Sequence, residues 1–346
     1  MKYFIFATNF LLEIVSAIMG LATAVKINSS RSATNLASGI VEDIVQPTDV
    51  IARPLGIPGH AINEGQTIRF LHILQLELYR TTVQNGGDGA IPRSPPFRRV
   101  YDHELELVIV ATGQWGLSLG HALFAIQSIL HRMLYPVPGS YGFLERIWEV
   151  FEIKPLRPGK KLGIIKLFAA SVALDDANSS LPSPLVTGLD SIRHPLSAVP
   201  GPWDIPGTSM TLYFSSIESR LPPEYVIWPL NTLIGRCWLS FASTQSVGRV
   251  DKMVSTDDSD TVQVTIEPKM EPPIPYQPLT TITDVVEAAV GIVYFMVTRE
   301  FFTTKIIVLR PDERGIRIPV GDIEIVNKRS PFHQVGSGNS SSIETA

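Results

Sequence analysis

In the second half of this chain the spacing of apolar residues switches between two and three-or-four. That switching constrains the fold more than any single residue does. MTLYF sets Met210, Leu212 and Phe214 on one side, the alternation of a half-buried strand. From Glu224 to Phe241 the apolar positions Val226, Leu230, Leu233, Cys237 and Phe241 step by three and four, a helix stripe. Proline in a helix is tolerated in the first turn, so Pro229 places the start of this helix near Tyr225 to Trp228. TVQVTIE alternates again through Val262, Val264 and Ile266. A second stripe, Leu279, Ile282, Val286, Val290, Val293 and Val297, follows Pro278. KIIVL and IRIPVGDIEIV then flank PDERG, a hairpin turn signal. The spacing predicts helices over about 225–243 and 278–299, packed on one face of a single sheet.

Laying Leu221-Pro222 over Ile274-Pro275 brings out a faint internal repeat with a shift of 53, in which Val226 meets Leu279 and Cys237 meets Val290. With VGRVDKMV as the strand after the first helix, the order is β-α-β-β-α-β, the split-βαβ arrangement of the ferredoxin-like plan. Cys237 then points into the core as a small apolar group. The first half holds a similar unit: ELELVIVAT as a strand, Leu117 to Leu134 as a helix, and WEVFEI and KKLGIIKLF as two strands. TIRFLHILQLELY fits a strand or a helix equally well. The expected class is α+β, with helices packed on mainly antiparallel sheets.

Punctuation divides the chain. Residues 1–24, MKYFIFATNFLLEIVSAIMGLATA, read as a signal peptide with a short basic start and an Ala22-Thr23-Ala24 cleavage site, interrupted by Glu13. Residues 25–64 read as a loose arm, 65–172 as an α+β half, 173–206 as a proline-rich linker, 207–327 as the βαββαβ half and 328–346 as a disordered tail. Three N-x-S/T sequons, at Asn28, Asn178 and Asn339, are glycosylation candidates on an exported chain. The lone Cys237 excludes an internal disulfide and a cysteine-rich zinc site. A net charge of −4 without a basic stripe gives no case for nucleic acid. No pattern calls for a cofactor or a metal.

Residues 115–130, WGLSLGHALFAIQSIL, admit three readings. Gly116-x-Ser118-x-Gly120 fits the nucleophile turn of a serine hydrolase, and GLSLGHAL resembles the corresponding run of lipases and esterases. The run Leu107 to Leu130 has no Asp, Glu, Lys or Arg and is long enough to span a membrane. Leu119, Leu123, Ile126, Leu130 and Met133 also form the stripe of an ordinary amphipathic helix, with Ser118, His121, Ala125, Ser128 and Arg132 on another face. The polar stripe speaks against a span. The triad order would take Asp175, Asp176 or Asp190 and then His194 from the proline-rich linker, where nothing singles them out. The bland reading makes Ser118 a helix cap and the two glycines turn residues.

The other candidates have structural explanations. Asp284 and Glu287 lie one turn apart, and Thr281-x-x-Asp284 is a capping pattern. Glu104 and Glu106 share the face of a strand. His60, His72, His103, His121, His131 and His194 lack metal-ligand spacing. Trp115, Trp148, Trp203, Trp228 and Trp238 supply aromatic surface for a core or for a sugar-stacking platform.

The signal peptide, the proline-rich connectors, WDIPGTSMTLYF, and PLTTITDVVEAAVGIVYFMVTREF before a strand hairpin resemble uncharacterised secreted proteins of filamentous fungi. The resemblance covers the second half and the general layout, and implies no activity. The expectation is a secreted, non-catalytic interaction or surface protein. The alternatives are a secreted serine esterase using Ser118 and a membrane-anchored protein with an uncleaved N-terminal helix.

Overall fold

A computed structural model describes residues 49–112, 116–136, 142–153, 159–170, 200–271 and 277–329. The signal peptide, the three sequons, Trp115, the linker acids Asp175, Asp176 and Asp190, His194 and the tail after Arg329 lie outside the described residues.

The fold is α+β. In chain order the elements are β1 (Val50–Leu55), α1 (Glu64–Gln84), β2 (Phe97–Tyr101), β3 (Leu105–Ala111), α2 (Leu119–Leu134), β4 (Arg146–Glu152) and β5 (Lys160–Ala169). There follow β6 (Gly201–Asp204), β7 (Thr211–Arg220), α3 (Pro223–Thr244), β8 (Met253–Thr256), β9 (Val262–Pro268), β10 (Met270–Glu271), β11 (Gln277–Pro278), α4 (Ile282–Val297), β12 (Phe302–Pro311) and β13 (Arg317–Asn327). One sheet has the order β1-β4-β5-β3-β2 and the other β6-β7-β12-β13-β9-β8, and every pair is antiparallel.

The two sheets share one plan. Replacing β1, β2, β3, β4 and β5 by β7, β8, β9, β12 and β13 reproduces the strand order, with α1 matching α3 and α2 matching α4; β6 is an extra edge strand. Helices α1 and α2 lie on the first sheet, α3 and α4 on the second, and the two pairs meet through α1 against α4 and α2 against α3. These cross-pairs exchange under the same replacement, as a two-fold relation between the halves requires. The layers therefore run sheet, helices, helices, sheet. That explains α4, which is buried on almost every side through Val285, Ala289, Ile292, Val293 and Met296.

The second sheet departs from the ferredoxin-like order. The chain order β7-α3-β8-β9-α4-β12 is the expected βαββαβ, but β13 folds back through the Asp312–Gly315 turn and pairs between β12 and β9. A short hairpin closes at little entropic cost and takes that slot, leaving β7 outside β12. Both helices do lie on the same face, where Phe295 of α4 stacks on Phe214 of β7 at 3.9 Å. Helix α3 begins at Pro223, earlier than expected, so Pro229 is interior. Burial of Val226, Ile227, Leu230 and Leu233 offsets the lost backbone bond. Helix α4 starts only at Ile282, because Pro278 pairs in β11 and Thr281 caps the helix.

In the first half TIRFLHILQLELY is helical, as part of α1. Residues 50–55, expected within a loose arm, form the edge strand β1, because Val50 and Ala52 bury against the helix layer while β1 pairs with β4. Trp203, on β6 at the end of the expected linker, packs on Tyr294 and Phe295 and so anchors to the second sheet.

Candidate functional site

Ser118 is the N-cap of α2, with extended backbone (φ −87°, ψ 168°). Its Oγ accepts from the His121 backbone N–H at 3.2 Å and lies 2.7 Å from His121 Nδ1, while the Ser118 N–H reaches the same ring nitrogen at 3.4 Å. An imidazole is thus within reach of this serine, which a search for partners downstream in the linker misses. The signal was present in the sequence, since Ser-x-x-His occupies the positions of a capping box.

Three observations make this arrangement a helix start. A nucleophile elbow leaves the amide after the serine free to hold an oxyanion. Here Leu119 N–H donates to Gly89 O at 2.8 Å, Gly120 N–H to Asp88 Oδ1 at 2.9 Å, and Ala122 N–H to Ser118 O at 3.0 Å. Each glycine of the motif also has a structural duty. Gly116 has φ +71°, and a Cβ on Gly120 would stand 2.2 Å from Trp238 Cζ2, so that glycine lets α2 close onto α3. Finally, the arrangement recurs at the matching place in the other half. Thr281 caps α4 and exchanges bonds with Asp284 as Ser118 does with His121. Ser118 bridges to Ala90, and Thr281 to Arg249. Ile91 N–H donates to Leu117 O, and Val250 N–H to Thr280 O. The same backbone design with Thr and Asp in place of Ser and His serves capping.

The remaining candidates are dispersed. Asp284 accepts from Arg310 Nη1 at 2.6 Å besides closing its capping box, and Glu287 pairs with Arg80 at 2.5 Å. Glu106 pairs with Arg98 at 2.6 Å, and Glu104 is exposed in the turn between β2 and β3. His60 and His103 are exposed. The His131 ring lies against the tilted rings of Trp228 and Tyr135, with Asp258 at 3.3 Å. Trp148 and Trp238 are core residues and Trp203 packs on Tyr294 and Phe295, so the described tryptophans do not converge on a platform. Cys237 is buried, and burial pushes its thiol up to about 12. Among the described residues no group of acids, histidines and cysteine is placed to hold a metal ion, and no helix is long and apolar enough to cross a membrane. Of the run Leu107–Leu130, residues 107–111 lie in strand β3 and 119–130 in helix α2.

Sequence reasoning missed a polar cluster where the helix layers meet. Gln75 of α1 donates to Asn231 Oδ1 of α3 at 3.2 Å, and Gln127 of α2 donates to Gln75 Oε1 at 3.1 Å and to Asn231 O at 3.0 Å. Beside them His72 donates from Nδ1 to Ile68 O at 2.8 Å. Burial lowers the His72 pKa to about 4, against smaller upward contributions from Ile68 and Asn231, so the ring is neutral. His72 and Asn231 occupy matching positions of α1 and α3.

The outward sheet faces distinguish the two otherwise similar halves. On the first sheet alternation and register direct fifteen side chains away from the helices. Nine are apolar: Ile51 and Leu55 on β1 lie opposite Phe151 and Ile147 on β4, Ile164 and Phe168 stand on the central β5, and Val108, Val110 and Val100 complete β3 and β2. The other six are Arg53, Arg98, Lys161, Lys166, Glu106 and Glu149, with Lys161 paired to Glu149 at 2.5 Å. On the second sheet the corresponding face carries Lys305, Asp322, Glu324, Glu267, Gln263 and Thr265 around Tyr213, Ile307, Leu309, Val326 and Val254. Lys305 and Glu324 pair at 3.0 Å across β12 and β13, the central strands of that face. A shallow groove of about 320 Å³ between the start of α1 and the end of α4 is lined by Asn63, Glu64, Gly65, Ile68, Val297 and Phe301, where Asn63 is engaged as the N-cap of α1.

No known family matches this chain, and no curated protein or solved structure is significantly similar to it.

Proposed function

We propose that the chain is a secreted, non-catalytic interaction protein of the extracellular space, and that it binds through the outward face of the first sheet. The observation that carries this reading is the asymmetry between the sheets: nine of fifteen outward side chains are apolar on one, with Ile164 and Phe168 on its central strand, while the other sets Lys305, Asp322, Glu324 and Glu267 across its central strands. Soluble monomers rarely expose a contiguous apolar patch of more than a few hundred Å², and larger patches mark binding sites. Export rests on the basic, apolar and small-residue pattern of residues 1–24. The test is amino-terminal sequencing of protein recovered from the culture medium of an expressing host. A chain beginning near Val25 supports export; recovery only from cells, with Met1 or Lys2 retained, overturns it and favours the anchored form.

A second reading, a serine hydrolase, draws on the 2.7 Å contact between Ser118 Oγ and His121 Nδ1. The occupied amides around Ser118 oppose it, because an acyl intermediate needs donors for its oxyanion. Fluorophosphonate labelling that disappears in a folded Ser118→Ala variant would restore this reading.

A further inference from the structure

We infer that a second copy of this chain covers the outward face of the β1-β4-β5-β3-β2 sheet, giving a two-fold dimer of sheets packed face to face. The inference rests on the reading of that face as an interaction surface and names what occupies it. Three features select a second copy.

The first is extent. Five strands about 4.8 Å apart, each presenting about seven residues at about 3.3 Å, give a face of roughly 550 Å². Two such faces cover about 1,100 Å² before the corrugation of the side chains is counted, close to the lower bound of about 1,200 Å² for a specific interface. The second is composition. Nine of the fifteen side chains are apolar, in the direction of the apolar bias of homodimer interfaces. The third is shape. Antiparallel sheets stack face to face with interdigitating side chains, and Ile164 and Phe168 on the central strand are placed to interdigitate.

Other occupants fit less well. Strand addition at the edges is opposed by Pro54 within β1 and by Pro95 and Pro96 just before β2. Insertion into lipid would place six charged side chains in hydrocarbon, whereas a protein interface keeps polar groups hydrated by bridging water. With four basic and two acidic groups the face is net positive, so two copies repel each other. Apolar burial must therefore drive the dimer, and salt must strengthen it by screening. A complementary acidic partner would show the opposite salt dependence.

The experiment is sedimentation velocity of the full exported chain over micromolar concentrations at low and high salt. It compares the wild type, Ile164→Glu and Phe168→Lys on the face, and Ile307→Glu on the matching face of the second sheet. Each variant is checked for native circular dichroism, and either face variant suffices if the other fails to fold. The expected result is a species of twice the chain mass for the wild type and Ile307→Glu, tighter at high salt, and a halved mass for the face variants. A dimer that survives the face variants overturns the inference, as does one that loosens with salt. A wild-type monomer that binds an apolar fluorescent dye, with uptake lost in Ile164→Glu, overturns the dimer but leaves the face an open binding surface. A monomer that binds no dye overturns both.

Discussion

His72 makes the stability of this protein depend on acid in a way that a single substitution should abolish. Its imidazole is buried where the four helices meet, with the Ile68 carbonyl and the Asn231 amide beside it. Burial disfavours the cation and lowers the folded pKa to about 4, against 6.5 in the unfolded chain. A lowered histidine pKa means that the unfolded chain binds the proton first as pH falls. The contribution of His72 is therefore fully present above pH 6.5, declines from there, and is lost by about pH 4. Between those limits the cost is about 3 kcal/mol, of which about 2 kcal/mol has been lost by pH 5. Replacing His72 by Leu keeps a similar volume and removes the titration. The Ile68 carbonyl keeps its helical backbone donor, so the change at pH 7 should stay within about 1.5 kcal/mol. Urea unfolding followed by tryptophan fluorescence at pH 7, 6, 5 and 4 measures both proteins. The difference in unfolding free energy should shift towards His72→Leu by about 2 kcal/mol from pH 7 to pH 5. Carboxylates that titrate in both proteins cancel in that difference. Parallel curves for the two proteins would refute the reasoning and place the proton elsewhere.

Three further substitutions test the starts of α2 and α4. Ser118→Ala removes the cap oxygen and should cost about 1 kcal/mol in urea unfolding, while Thr281→Ala should cost more because Arg310 also leans on that capping box. Equal, negligible effects in both would contradict the shared capping role. Gly120→Ala drives a methyl group into the Trp238 ring and should destabilise by about 1–3 kcal/mol or more, with an altered tryptophan emission. Wild-type stability would show that α2 and α3 can separate without cost.

Most elements of the second half, and β3, α2, β4 and β5 of the first, were legible in the sequence because they depend on short-range rules, whereas β1, β2, β6 and the helical state of α1 were not. Alternation at Val262, Val264 and Ile266 requires a half-buried strand, and the steps of three and four through Val286, Val290 and Val293 require a helix, whatever they pack against. The capping box at Thr281 and Asp284 is equally local. The long-range relations were not legible. Nothing local tells that β13 inserts beside β9, that the halves share one strand order, or that α1 meets α4. Those outcomes depend on which apolar faces find each other across more than a hundred residues. The meaning of Gly116-x-Ser118-x-Gly120 was decided in the same way. The motif specifies a serine between two glycines, but only the fold brings Gly89, Asp88 and Trp238 to the helix start and occupies the amides that catalysis would need. The sequence by itself determined the periods, the caps and the lone buried thiol, because these follow from backbone geometry and burial. Only the tertiary structure decided which sheet face meets water, because alternation gives a strand two faces and the packing of the helices chooses between them.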